Sequence, residues 1–189
     1  MASQGQAPGR AASRPVVLVG MMGSGKSTVG RRLAARLHRR FVDADKVLEE
    51  RCGVAISTVF ELEGEEGFRR REASLLDELT RLPAIVLATG GGVVMRAENR
   101  RLLAERGLVV FLQASQADLW QRLRRDRTRP LLQTEDPRER IAQLLALREP
   151  LYREIAHLTV VSARQPVDQL VADIIGRLPE EIQAEARAG

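Results

Sequence analysis

A chain of 189 residues has room for one α/β domain with a full core and little room for a second. Apolar residues make up 44% but aromatics only 3%, so the core must rest on Leu, Val, Ile and Ala, which suits a helix-covered parallel sheet better than a β-sandwich. The net charge of +5 comes from 30 basic residues, all Arg except Lys26 and Lys46, interleaved with 25 acidic ones; no basic run exceeds Arg69 to Arg71, which favours a compositional Arg bias and anionic small molecules over a nucleic-acid partner.

Cys52 is the single cysteine, so no internal disulfide can form. No apolar run approaches the roughly 20 residues of a membrane span, and Met1 to Arg14 form a small, polar stretch without the apolar segment of a signal peptide. The expectation is a cytoplasmic protein with no membrane partner, a disordered leader over 1–14, one domain over 15–178 and a tail over 179–189.

Val16-Val17-Leu18-Val19 reads as a buried parallel strand. Val29, Leu33 and Leu37 recur at helical spacing behind it, with arginines on the outer face. Phe41-Val42 reads as a second strand. The stretch from Val47 to Leu79 reads as two or three short helices, broken at Gly53, Gly64 and Gly67. Ala84 to Ala88 is a third strand, closed by Thr89-Gly90-Gly91-Gly92, and a helix near Ala97 to Glu105 stops at Gly107. Val109 to Leu112 is a fourth strand, and Ser115 caps a helix over Gln116 to Arg124. Arg125 to Pro137, charged and aperiodic with two prolines, reads as a lid, within bounds of about 122–137. A helix from Arg138 to Ala156 is interrupted at Pro150. Leu158 to Val161 is a fifth strand, Pro166 opens a helix to Leu178, and the residues after Pro179 read as frayed helix or disorder. The alternation predicts an α/β, three-layer fold with a central five-stranded parallel sheet flanked by helices, plus a mobile lid, and the glycine motif that follows the first strand makes it a P-loop NTPase fold. Ligands then sit at the carboxyl ends of the strands.

Gly20-Met-Met-Gly-Ser-Gly25-Lys26-Ser27 fits G-x-x-x-x-G-K-[ST] directly after a strand and directly before a helix. Glycines let backbone N–H groups turn inward around phosphate oxygens, and the helix start adds its positive dipole end. Lys26 is placed to bridge β- and γ-phosphates, and the Ser27 hydroxyl to bind Mg²⁺. The nucleotide-binding residues read from this loop are Gly23, Ser24, Gly25, Lys26, Ser27 and Thr28. A glycine turn capping a helix would explain the glycines but not the Lys26-Ser27 pair, in a chain that otherwise uses Arg almost exclusively. The loop points to ATP and leaves the phosphoryl acceptor open.

Further strings narrow the acceptor: Phe41-Val-Asp-Ala-Asp45, Gly64-Glu-Glu-Gly-Phe-Arg69, Gly90-Gly91-Gly92, Arg129-Pro-Leu-Leu and Arg148-Glu-Pro-Leu-Tyr152. With the phosphate loop, and in this order from about Pro15 to Leu178, they resemble the shikimate kinase family. The resemblance implies transfer of the ATP γ-phosphoryl group to the 3-hydroxyl of shikimate, with Mg²⁺ as cofactor, in a monomer. It places Asp43 in the metal shell, Asp45 on the shikimate hydroxyls, and Arg69, Arg148 and Gly90 to Gly92 around the shikimate carboxylate and ring. It makes Arg129 the lid arginine, and Arg164 and Pro166 the adenine-side loop. The catalytic set is then Lys26, Asp45 and Arg129, with Asp45 either receiving the hydroxyl proton or only orienting it.

Plainer readings stand beside these. Either aspartate could cap the helix that begins near Lys46. Arg69 and Arg148 cannot be picked out from their arginine neighbours by residue type alone, and Glu72, three residues after Arg69, either orients it or forms a surface pair. Arg122, Arg125 and Arg127 compete with Arg129. His38 and His157 read as helix-end residues, Trp120 and Tyr152 as packing, and Cys52 as an incidental thiol. Two other functions remain: a related gluconate- or nucleoside monophosphate-type kinase, separable by an acceptor screen, and an ATP-switched nucleic-acid module, which salt-sensitive duplex binding would reveal.

Overall fold

The structure, a computed structural model, describes residues 14–126, 130–162 and 165–188. Arg129 and Arg164 lie outside the described residues.

Five parallel strands form one sheet in the order β2-β3-β1-β4-β5. They are β1 (Val16–Val19), β2 (Arg40–Asp43), β3 (Ile85–Ala88), β4 (Leu108–Gln113) and β5 (Leu158–Val161). β1 is central, in register with β3 through Val17 and Leu87 and with β4 through Val17 and Val109. Because side chains alternate along a strand, β1 feeds two hydrophobic layers. Val17 and Val19 join the first, with Leu87, Val109 and Phe111. Val16 and Leu18 join the second, with Val86, Val110, Leu112 and Val160. Both faces are therefore apolar, and the strands read as continuous apolar runs.

Helix α1 (Lys26–Arg36) covers the second layer with Val29 and Leu33. The first layer is covered by α2 (Ala44–Cys52), α3 (Ile56–Leu79), α4 (Ala97–Arg106), α5 (Gln116–Leu123) and α6 (Pro137–Ile155), through Leu48, Leu76, Leu103, Leu119 and Tyr152 among others. Helices α7 (Val167–Arg177) and α8 (Glu180–Arg187) add Leu170, Ile174 and Ile182 to the second layer. Within α8, Glu185 takes two hydrogen bonds of 2.6 and 2.7 Å from the buried Arg39, so these last residues pack as an ordered helix.

The expected breaks are redistributed. Gly53 ends α2 at φ 69°, and its N–H closes on the Glu49 carbonyl at 2.9 Å. Gly64, at φ 69° and ψ −179°, kinks α3, whereas Gly67 stays helical and buried. A Cβ at Gly67 would lie 2.5 Å from the Glu63 side chain, so that glycine answers to crowding, not to a turn. Helix α6 runs through Pro150 without the expected interruption. Proline removes one N–H from the helix ladder, but Leu144, Arg148, Tyr152 and Ile155 are buried on both sides of it and carry the helix across. The Ser115 cap forms as expected, its hydroxyl accepting from the Asp118 N–H at 3.1 Å. Since all strands run parallel, the loops after β1, β2, β3 and β5 meet at one edge of the sheet.

Candidate active site

The phosphate loop joins β1 to α1. Its conformation needs glycine at two kinds of place. Gly25, at φ 94°, occupies the left-handed region at the start of α1. A Cβ on Gly20 would fall 2.6 Å from the Leu112 carbonyl oxygen, so the loop packs directly against β4. Lys26 opens the helix, and its ammonium donates to the Gly20 and Met21 carbonyls at 2.8 and 2.9 Å, which holds the charge across the loop. The Ser27 hydroxyl donates to Asp43 Oδ2 at 2.6 Å, joining the helix start to the end of β2. Two hard oxygens thus stand together beside the loop. Ser24 is buried, and its carbonyl accepts from the Ser162 hydroxyl at 2.8 Å; Thr28 is exposed on α1. Arg122 of α5 donates to the Gly23 carbonyl at 3.0 Å and to the Ser162 carbonyl at 2.9 Å, tying the loops after β1 and β5 together. Pro166 is exposed at the head of α7.

Beside this loop lies a cavity of about 660 Å³, lined by Met22, Ser27, Asp43, Asp45, Arg69, Glu72, Gly90, Gly91, Gly92 and Arg148, with Phe60, Pro130 and Leu131 also in its wall. The residues come from the phosphate loop and start of α1, the end of β2 and start of α2, α3, the loop after β3, the segment between α5 and α6, and α6 itself. Arg69 and Arg148 are 6% and 2% exposed. Arg69 donates to Glu72 at 2.8 Å and to Glu65 at 3.0 Å. The two carboxylates outweigh the burial that would otherwise lower its pKa, and the net shift is upward. Burial lowers the Arg148 pKa, and the charge of Arg69 adds to that effect. Burial raises the Glu72 pKa against the pull of Arg69, with Asp45 reinforcing the rise.

Arg69 Nε, Arg148 Nε, Arg148 Nη1 and Glu72 Oε1 are buried with no hydrogen-bond partner among the described residues. Stranded buried donors on guanidinium groups are costly. Two such groups lining one cavity have the chemistry to hold a carboxylate, which a planar guanidinium can grip through paired N–H bonds.

The glycines after β3 have a steric explanation. A Cβ on Gly92 would sit 2.1 Å from Arg69 Nη2, and one on Gly90 would sit 2.6 Å from Glu72 Oε1 and 3.0 Å from Asp45 Oδ1. The absent side chains are the space in which the charged groups lie. Tyr152 was read as packing, and it does pack, wholly buried with its ring stacked on Phe111 at 5.1 Å. Its hydroxyl also donates to the Gly91 carbonyl.

The cavity therefore brings together Ser27, Asp43, Asp45, Arg69, Gly90 to Gly92 and Arg148, with Lys26 and Gly23 to Gly25 on the phosphate-loop side. Glu72 forms a buried pair with Arg69 instead of a surface one, as its spacing allowed. Ser162 and Tyr152 are additions, and Arg122, weighed as a competitor of Arg129, instead bridges two loops. Nothing in the spacing marked Arg122 or Ser162, whose partners are 99 and 138 residues away. His157, expected at a helix end, accepts through Nδ1 from the Val109 N–H at 3.1 Å.

The sequence model of the shikimate kinase family matches residues 22–179. A shikimate kinase of Thioalkalivibrio sulfidiphilus is 56% identical over 159 residues, 84% of either chain. A solved shikimate kinase from Acinetobacter baumannii, in complex with shikimate, is 46% identical with a TM-score of 0.85, covering 87% of this chain and 92% of that one. A gluconokinase from Sinorhizobium meliloti shares the fold at a TM-score of 0.55 but only 19% identity, over 95% of this chain and 94% of that one.

Proposed function

The chain belongs to the shikimate kinase family of ATP-dependent phosphotransferases, and from that premise we propose how its residues divide the transfer of the ATP γ-phosphoryl group to the 3-hydroxyl of shikimate. The observation that carries the assignment is the pair of buried guanidinium groups, Arg69 and Arg148, that line the cavity beside the phosphate loop and keep N–H donors with no hydrogen-bond partner among the described residues. Shikimate is a carboxylate with three hydroxyls. Arg69 and Arg148 take the carboxylate, and Glu72 holds Arg69 in place for it. Gly90 to Gly92 leave room for the ring. Asp45 accepts hydrogen bonds from the hydroxyls, since an ionised carboxylate is an acceptor only, and orients the attacking oxygen or receives its proton.

On the other side, the N–H groups of Gly23, Gly25, Lys26, Ser27 and Thr28 are assigned to the nucleotide phosphates at the start of α1, where the helix dipole favours anions, while the Ser24 N–H shapes the loop by donating to the Met21 carbonyl at 3.1 Å. Lys26 exchanges its two loop carbonyls for phosphate oxygens. Ser27 Oγ and the Asp43 carboxylate, 2.6 Å apart, are hard donors that fit Mg²⁺, a cation that takes few protein oxygens and keeps phosphate and water for the rest. Bound there, Mg²⁺ would neutralise charge on the phosphate oxygens. Arg129 is assigned to the transferring group on lid closure, and Arg164 and Pro166 to the adenine side.

The same reading makes the enzyme a cytoplasmic monomer whose partners are ATP and shikimate, with no membrane or nucleic-acid partner. Its arginines support this, because many are spent on internal carboxylates, among them Arg39 on Glu185, Arg51 on Glu78, Arg71 on Glu63 and Arg106 on Asp77. No helix among the described residues is long and apolar enough to cross a membrane.

A coupled assay of ADP release tests the assignment. Wild type is expected to release ADP only with shikimate present, and Asp45→Asn to lose at least about a hundredfold in kcat/KM while still binding ATP. Unchanged turnover in Asp45→Asn would remove Asp45 from the site. Absence of shikimate-dependent release in the wild type would overturn the whole reading.

A further inference from the structure

Among the described residues Tyr152 is the largest side chain that the fold buries completely, and its ring contact with Phe111 is a packing contact that phenylalanine could make as well. The hydroxyl is what needs a reason. A buried phenol must find an acceptor, and this one donates to the carbonyl of Gly91 in the loop that lines the cavity. Burial pushes its pKa well above the ordinary phenol value, with Arg148 partly opposing the shift, so the hydroxyl keeps its proton and stays a donor.

Gly91 has close neighbours on two other sides. The position its Cβ would take lies 3.1 Å from the Met22 amide nitrogen in the phosphate loop and 3.7 Å from Arg148 Nη1. The loop after β3 is thus wedged between the phosphate loop, the carboxylate-facing arginine and the phenol. The Gly91 carbonyl and the Gly92 N–H belong to one planar trans peptide, so they point in opposite directions. Pinning the carbonyl on Tyr152 fixes the amide that follows it. Glycines on both sides of that peptide leave it free to rotate if the pin is removed.

We infer that Tyr152 is a positioning residue for the phosphoryl acceptor: its hydroxyl sets the orientation of the Gly91–Gly92 peptide, and through it the wall against which the hydroxylated carboxylate sits beside Arg148. This rests on the proposed assignment of the cavity to shikimate. The same helix turn then supplies both the grip, Arg148, and the stop, Tyr152, four residues apart on one face. The nucleotide side does not depend on the phenol.

Tyr152→Phe keeps the ring and removes only the hydroxyl. Calorimetric titration of shikimate into the nucleotide-free variant should show affinity reduced about tenfold, the worth of one lost hydrogen bond. KM for shikimate should rise in step, while kcat and KM for ATP stay within about twofold. Amide exchange in the segment 90–95 should quicken in the variant and stay unchanged in the segment 20–28. This second readout holds the inference to account even if the variant is less stable. An unchanged shikimate affinity with normal exchange over 90–95 would overturn it, as would a parallel loss of affinity for both substrates, the mark of a purely structural role. Wild-type turnover with unaltered Tyr152→Phe constants refutes this inference alone; no shikimate-dependent turnover in the wild type refutes the functional reading and this inference with it.

Discussion

The phosphate loop and the acceptor cavity share one edge of the sheet but are built by opposite strategies. The loop is a contiguous eight-residue string whose work is done mainly by backbone, with glycines at φ 94° and φ 77° shaping it and one lysine folded over its carbonyls. The cavity is assembled from stretches scattered between Met22 and Arg148, and its work is done by side chains buried at considerable electrostatic cost. Local chain geometry suffices to make a phosphate site, because phosphate is recognised by N–H groups that every residue carries. A carboxylate bearing a specific set of hydroxyls needs charged side chains held at fixed places, and only tertiary packing can hold them.

That contrast can be broken or sharpened by substitution. The largest effect is expected at Lys26: Lys26→Met should lower kcat about a thousandfold, as loss of a principal charge-stabilising donor does, in steady-state assays at saturating shikimate. Shikimate binding measured without nucleotide should stay within about twofold of wild type if the two halves are independent. Next comes Gly92→Ala. Its methyl group would displace the Arg69 guanidinium that now lies 2.1 Å from the Cβ position, so KM for shikimate should rise about tenfold with KM for ATP unchanged. A parallel rise in both constants would show that the halves are not separable. The smallest effect on activity is expected at Glu185, the α8 partner of Arg39. Glu185→Gln should lower Tm by about 5 °C, the scale of a charged hydrogen bond near 2 kcal/mol, and leave both KM values alone. Thermal melts and the same assay check this.

What could be read from the sequence follows the same division. The strands were legible because Val16 to Val19 and Ile85 to Ala88 are apolar on both faces, as strands of a sheet covered on both sides must be. The phosphate loop was legible because its determinants are adjacent in the chain. The acceptor site was not legible from residue chemistry: nothing local distinguishes Arg69 and Arg148 from Arg70, Arg71 or Arg153, and only the family resemblance picked them out. Their distinction is burial, at 6% and 2% exposure, and burial is set by elements far away in the chain. Glycine and proline misled for a related reason. Gly67 and Pro150 lie inside helices, where close packing against Glu63 and a buried helix face override local preference. Tyr152 could be read only as packing, because its acceptor, the Gly91 carbonyl, is 61 residues away.

The central claim is that the buried arginine pair grips the carboxylate of shikimate. Calorimetric titration of shikimate and of its methyl ester into wild type and Arg148→Met tests it most directly. In the wild type the ester, which lacks the charge, should bind about a hundredfold more weakly, the worth of a charge-assisted bidentate contact. In Arg148→Met that penalty should shrink by about tenfold, because the group that senses the charge is gone. An ester penalty of the same size in both proteins would contradict the assignment.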